Sequence, residues 1–382
     1  MALSHPALVL ALLACTLLTP RGAQAAGEDT RPTATQPKLA KPIPQKTAKP
    51  AGTPAVSDAN SYARRVDIAG VAQRIAALHD LDAAWVGQVL SKANFMPGIA
   101  KAAEPAPAGV TKNWAVYRER FVEPQRIGAG LQFWRENKAA LARAEKTYGV
   151  PAEIIVGIIG VETLYGQHTG KHRIIDALAT LAFDFPASHP RAQQRSDYFF
   201  SELGYFLKLA KRLNRDPLTM RGSYAGAMGL AQFMPSSWLK HAVNFDAQRG
   251  IDLWESPGDA IGSVANYLKA HGWRSKQPTH FAMRFDPSSM DKASLLAPDI
   301  LPTFSWAQFH QLGVRIDDEA AKTYPGKWAL IELFNGDDPP SYVAGTENFY
   351  VITRYNWSSY YAMAVIDLGQ AVKAVVEAAS KR

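Results

Sequence analysis

Ile155, Ile158 and Ile159 recur at the spacing of one helix face, and the next position on that face holds Glu162. The surrounding run, Ile154-Ile155-Val156-Gly157-Ile158-Ile159-Gly160-Val161-Glu162-Thr163, predicts an apolar helix opened at its first turn by Pro151. Helical patterning covers most of the chain from Val66 to Trp273. Leu131 to Tyr148 predicts one helix ending at Gly149-Val150-Pro151. Arg195 to Leu213 predicts another, and Ala260 to His271 a third, closed by Gly272. The pattern changes after Trp273. Phe281 to Phe285 alternates like a strand, Lys327 to Phe334 reads as a second, and Asn335 to Pro340 as a turn. Asn348 to Tyr355 fits either a strand or a helix start, and Ser358 to Ala379 predicts a closing helix. The fold class is mainly α (α+β), with helices over 59–273, a β-rich insertion over about 275–345 and a helical return over 346–382.

The first 58 residues have another character. Ala7 to Leu18 is an apolar run of 12 residues, too short to span a bilayer, and Ala23 and Ala25 give an A-x-A cleavage pattern. Residues 1–25 therefore read as a secretory signal peptide, although its start carries no Lys or Arg. Leu12-Leu13-Ala14-Cys15 also fits a bacterial lipobox loosely, so outer-membrane anchoring through Cys15 stands beside soluble export. Residues 26–58, rich in Pro, Ala, Thr and Lys without apolar period, predict a disordered linker. Cys15 is the chain's one cysteine, so an exported fold would be held by its core alone. The formal net charge of +8 becomes about +5 once residues 1–58 are set aside. That field favours an anionic partner. Export, and the lack of a dense Lys/Arg run with interleaved aromatics, argue against nucleic acid.

A carboxyl group on an apolar helix face is desolvated, which disfavours its charged form and makes it a candidate general acid. A buried glutamate held by a structural arginine or by backbone amides fits the same phase. Further along, Gly222-Ser223-Tyr224-Ala225-Gly226-Ala227-Met228-Gly229 precedes Gln232-Phe233-Met234-Pro235. Small residues there let backbone approach a ligand, while Ser223, Tyr224, Gln232 and Phe233 offer the polar groups and flat faces that suit a sugar chain. A tightly packed helix–turn–helix is the competing reading. The downstream acids Asp176, Asp184 and Asp197 lie on no obvious apolar face, so Glu162 stands without a matched second carboxylate.

Gly160-Val161-Glu162-Thr163 with Gly166, the Gly222–Gly229 and Gln232–Pro235 segments, Asp259-Ala-Ile-Gly-Ser-Val-Ala-Asn-Tyr267 with His271-Gly-Trp273, and Glu347 to Asn356 together resemble the membrane-bound lytic murein transglycosylase B family, glycoside hydrolase family 103. The resemblance covers roughly residues 60–380. It implies a lysozyme-like helical core with an added helical region and a small inserted antiparallel β region. It implies a monomeric periplasmic enzyme of a Gram-negative bacterium acting on peptidoglycan glycan strands. Glu162 would protonate the oxygen between N-acetylmuramic acid and N-acetylglucosamine, and the 2-acetamido group would stabilise the developing cation. The same carboxylate would then take the proton of the muramic 6-hydroxyl as it closes onto C1, giving a 1,6-anhydro end. Ser223, Tyr224, Gln232, Tyr267, Tyr355, Asn356, Tyr361 and Tyr117 would line the cleft, with Tyr355 and Asn356 near the acetamido group. A hydrolytic muramidase and an inactive wall-binding scaffold remain the alternatives.

Members of the family can carry a calcium loop. Counting from Asn244, oxygen-bearing residues Asn244, Asp246, Gln248, Asp252 and Glu255 keep the EF-hand spacing. The sharp-turn position holds Arg249 instead of glycine, and Gly250 falls one place late. Weak or no calcium binding is expected, and no other cofactor. His168 and His172 are four apart with Gly170 between them and no HExxH pattern, so zinc is not expected.

Overall fold

A helix that is apolar on all sides needs neighbours on all sides, and both ends of this chain supply them. The computed structural model describes residues 58–105, 112–248, 250–284, 286 and 288–381. The predicted signal peptide, Cys15, the linker up to residue 57 and Arg249 lie outside the described residues. The amino-terminal helices are α1 (Ile68–His79), α2 (Ala83–Leu90), α3 (Pro97–Ala102), α4 (Trp114–Glu119), α5 (Pro124–Glu136) and α6 (Lys138–Tyr148). Then come α7 (Ala152–Thr163), α8 (Ile174–Phe183), α9 (Ala192–Arg212), α10 (Pro235–His241) and α11 (Pro257–Ala270). Two short strands, β1 (His172–Arg173) and β2 (Arg221–Gly222), form an antiparallel ribbon.

Residues 154–161 of α7 are all buried, so the expected single apolar stripe is an apolar cylinder. Pro151 stands at its N-cap, one place before the first turn. Around α7 pack α5, α6, α11 and the carboxyl-terminal helix α16 (Ser359–Ser380). The α7–α16 crossing is a backbone contact. A Cβ on Gly157 would lie 2.2 Å from the Val365 carbonyl oxygen, and one on Gly369 would lie 2.1 Å from that of Glu153. Only glycine fits there.

The insertion holds a three-stranded antiparallel sheet in the order β3-β5-β4, from β3 (His280–Ala282), β4 (Ala329–Asn335) and β5 (Asp338–Gly345). It also carries α12 (Lys292–Leu296), α13 (Trp306–Gln311) and α14 (Glu319–Thr323), each with a side-chain cap, so it is less purely β than expected. Its own small core gathers Phe281, Phe309, Tyr324 and Trp328. A last helix, α15 (Glu347–Thr353), precedes α16 and settles the ambiguity at 348–355, because Thr346 caps it by accepting the Asn348 amide.

Three boundaries differ for local reasons. The predicted helix Leu131–Tyr148 divides at Asn137, whose side-chain amide donates to the Phe133 carbonyl at 2.9 Å. Helix α11 starts at Pro257, three residues early, because the Ser256 hydroxyl accepts the Asp259 amide. The predicted turn Asn335–Pro340 shrinks to Gly336 and Asp337, and Asp338 opens β5. Pro339 and Pro340 are tolerated because β3 pairs only with residues 343–345 on one side and the β4 pairing breaks register between Leu333 and Asn335 on the other.

Candidate active site

Helix α7 ends abruptly after Glu162 and Thr163. Leu164 and Tyr165 both take the left-handed conformation, with φ of 51° and 56°, before Gly166. The Thr163 hydroxyl steadies this turn by accepting the Gly166 amide at 2.9 Å and donating to the Leu230 carbonyl at 2.8 Å. Glu162 is thereby fixed at the mouth of a buried helix, keeping a limited window to solvent. The Tyr361 hydroxyl donates to its Oε1 at 2.6 Å. Burial pushes the Glu162 carboxyl up to about 7, and the Tyr361 hydrogen bond opposes that rise. Among the described residues Glu162 has no ion-pair partner and no second carboxylate bearing on its proton. The structural-arginine alternative therefore has no residue to support it.

Three tyrosines face this carboxyl. Tyr361 sits on the first turn of α16, its amide capped by Ser358. Tyr355 follows α15, and Tyr117 comes from α4, stacked on Trp114. Burial, and then the charge of Glu162, raise all three phenols, Tyr117 to about 12. They remain hydrogen-bond donors at any ordinary pH. The Tyr355 hydroxyl donates to the Ala231 carbonyl at 2.5 Å. Its ring meets Tyr267 edge-on at 4.9 Å, and the Tyr267 hydroxyl donates to the Arg354 carbonyl at 2.6 Å. Tyr267 stacks in turn on His271 at 4.0 Å. Asn356 is 5% exposed, and its Oδ1 has no hydrogen-bond partner among the described residues.

The Ser223–Gln232 segment forms a loop wall whose polar groups largely serve the loop. Ser223 Oγ accepts the amides of Ala227 at 3.0 Å and Ala225 at 3.3 Å. Gln232, itself left-handed with φ of 49°, donates through Nε2 to the carbonyls of Gly229 at 2.9 Å and Thr169 at 3.1 Å. Tyr224 lies half-buried against the core. The structure thus gathers Glu162, Tyr117, Tyr355 and Tyr361, sets Tyr267 beside Tyr355, and among the described residues bonds the Ser223 and Gln232 side chains within their own loop and to Thr169. Sequence reasoning placed Thr163 and His271 in motifs without giving either a role. Their signal was positional only: a hydroxyl at a helix end, and an imidazole one turn after Tyr267.

Asp176 is a correction. It lies buried in α8, accepting the Asn94 amide and pairing with Arg173 at 2.8 Å, and burial raises its carboxyl. It is a structural tie between α8 and the segment after α2. Asp184 pairs with Arg65 at 2.6 Å and accepts the Tyr62 hydroxyl.

The 244–255 loop satisfies itself. Asp246 accepts the Gln248 amide and the Ser256 hydroxyl, Asp252 accepts the amides of Trp254 and Glu255, and Arg215 pairs with Asp252 at 2.9 Å. Asn244 donates to the Gln248 carbonyl. Two neutral amides and an arginine-paired aspartate fit a divalent cation poorly.

A family model described as Transglycosylase SLT domain matches residues 64–370. Membrane-bound lytic murein transglycosylase B of Escherichia coli K12 is 40% identical over 303 residues, covering 77% of this chain and 79% of that protein. Among solved structures, the E. coli lytic transglycosylase SLT35 in complex with bulgecin A matches with a TM-score of 0.73 at 37% identity, over 83% of this chain and 96% of that one. The soluble lytic transglycosylase SltB1 of Pseudomonas aeruginosa matches at 0.72 and 40%, over 81% and 99%. SltB3 of P. aeruginosa, in complex with NAG-anhNAM-pentapeptide, matches at 0.65 and 29%, over 80% of this chain and 78% of that one. With the family model matching nearly every described helix and a relative this similar across three quarters of the chain, the protein belongs to the transglycosylase SLT domain family.

Proposed function

We propose that this protein is a lytic transglycosylase that cleaves the β-1,4 bond between N-acetylmuramic acid and N-acetylglucosamine of peptidoglycan and leaves a 1,6-anhydro end. The observation that carries the reading is Glu162, a carboxyl raised by burial to about 7, bonded to Tyr361 and with no second carboxylate among the described residues bearing on its proton. Protonated, it delivers its proton to the glycosidic oxygen as the bond to C1 breaks. The substrate's 2-acetamido oxygen bonds to C1 and holds the cation. Glu162, now anionic and steadied by the Tyr361 hydroxyl, removes the 6-hydroxyl proton as O6 displaces the acetamido oxygen. An intramolecular nucleophile needs no second carboxylate to activate water. One group acts as acid and then base, which a pKa near the working pH favours.

Around it, the unpartnered Asn356 Oδ1 suits an acetamido N–H. Ser223 Oγ accepts two amides and keeps its own proton to donate to a sugar oxygen, and both Nε2 hydrogens of Gln232 are used, which turns its Oε1 to acceptance. Tyr117, Tyr224, Tyr267 and Tyr355 supply ring faces. The 244–255 loop acts without calcium. The enzyme works as a monomer in the periplasm, soluble or tethered through Cys15; among the described residues no helix is long and apolar enough to cross a membrane. The mass of the mature amino terminus distinguishes cleavage at Ala25 from lipidation at Cys15.

Mass spectrometry of digested murein tests the chemistry. Anhydromuramic ends are expected. Reducing muramic ends would assign a hydrolytic muramidase, and undigested murein a binding scaffold. Glu162→Gln digesting murein at the wild-type rate would remove Glu162 from the catalytic role.

A further inference from the structure

A cavity of about 390 Å³ opens between α2 and the carboxyl-terminal end of α9, with none of the candidate active-site residues in its wall. Trp85 lines it half-buried, with Leu218 extending the apolar part of the wall. Lys92, Lys211 and Arg215 bring positive charge to the wall. The Lys211 ammonium lies 5.5 Å from the Trp85 ring centroid. Among the described residues neither lysine is in an ion pair. Arg215 is partly neutralised by Asp252 at 2.9 Å, and the lining carboxylate Asp216 accepts the Leu218 amide at 2.9 Å. The wall therefore combines an indole, with Lys211 over one face, and two ammonium groups outside any ion pair among the described residues.

That chemistry fits a sugar that carries carboxylates. The C–H face of a pyranose packs on an indole, and ammonium groups at the rim attract carboxylates without a fixed geometry. Resting on the proposed function, we infer that this cavity is a second binding site for peptidoglycan, which takes a muramyl sugar bearing a carboxylate-rich stem peptide. Its frame is joined to the catalytic loop. The Lys92 carbonyl accepts Arg173 of β1 at 2.7 Å, and the lining Arg215 guanidinium lies 4.8 Å from the ring of Trp254, whose indole N–H donates to the Arg221 carbonyl of β2 at 3.1 Å. Residue Ser223 of the cleft wall follows β2 directly. A second site rigidly joined to the cleft holds the enzyme on a cross-linked polymer by effective concentration.

The test uses the full chain with Glu162→Gln, which leaves ligand intact, and follows the Trp85 indole N–H by NMR. Titration with a disaccharide–tetrapeptide is expected to shift that resonance, and the peptide-free disaccharide to shift it with about tenfold weaker affinity. Lys92→Gln with Lys211→Gln, both exposed, should weaken the peptide-bearing ligand by a similar factor. In the active enzyme the same pair should raise KM on intact sacculi while turnover of short soluble glycan is unchanged. An unmoved Trp85 resonance, or equal affinities for the two ligands, overturns the site. The NMR reading needs no activity, so a protein that releases no anhydro product would defeat the proposed function and leave this result standing on its own.

Discussion

Replacing Glu162 with glutamine should make the protein inactive and, at alkaline pH, more stable. Burial raises the Glu162 carboxyl from 4.5 to about 7. A group whose folded pKa lies above its unfolded value keeps its full contribution below the unfolded value and loses it as pH rises through the folded value. The wild type therefore matches Glu162→Gln near pH 4, where both side chains are neutral. It falls behind between pH 4.5 and 7 as the unfolded state sheds a proton that the folded state holds. Above pH 7 the gap levels off. At 1.36 kcal/mol per pH unit the displacement corresponds to about 3 kcal/mol, an upper figure because Glu162 keeps a window to solvent. Urea denaturation of both proteins at pH 4, 6 and 8 reads the difference. Glutamine keeps the shape and an oxygen for Tyr361, so packing changes little. Parallel stabilities across that range would mean that Glu162 is ordinarily ionised in the folded state. The general-acid reading would then fall whatever the activity of the variant.

Tyr361→Phe removes the hydrogen bond that holds the Glu162 pKa down, so the alkaline limb of kcat/KM should move up by about one pH unit, the scale of a bond to a charged group; an unmoved or lowered limb would break the proposed pairing. Gly157→Ala drives a Cβ against the Val365 carbonyl and should cost about 3 kcal/mol or prevent folding, read by thermal denaturation; a neutral result would show that α7 and α16 are less closely packed than described. Chelation with EDTA should leave the melting temperature unchanged, because the 244–255 loop is closed by its own amides and Arg215. A fall of several degrees, restored by calcium, would reverse that assignment.

The position proposed as catalytic was legible because its signal is local. A carboxylate set among isoleucines at helical spacing is visible in ten residues. The same holds for the glycines of α7, although their purpose was not: Gly157 answers a carbonyl of α16, some two hundred positions away. Distant partners explain the other gaps. Asp176 looked uncommitted because Asn94 and Arg173 are brought to it only by the fold. The helix break at Asn137 is one side-chain hydrogen bond, too small a signal for periodicity to register. At 348–355 the sequence carried no period, and a single cap at Thr346 decided for helix. The tyrosines came from the family resemblance, and only the structure separates those facing Glu162 from Tyr267, which supports Tyr355.

The residues flanking the site share one property that bears on mechanism. Leu164, Tyr165 and Gln232 are all left-handed, a conformation that costs a non-glycine residue on the order of 1 kcal/mol. Such strain persists only where neighbours over-determine it. Here the neighbours are hydroxyls and an amide: Thr163 to Leu230, Tyr355 to Ala231 and Gln232 to Thr169 cross between segments, and Gln232 to Gly229 closes the loop on itself. Each bond has at least one end in the 223–232 loop. The cleft is consequently set before a glycan arrives. For a reaction whose nucleophile belongs to the substrate, that is where the protein can contribute most. The carboxyl must meet the glycosidic oxygen and then the 6-hydroxyl within one bound geometry, and a wall that had to reorganise between the two would forfeit the advantage of an intramolecular attack.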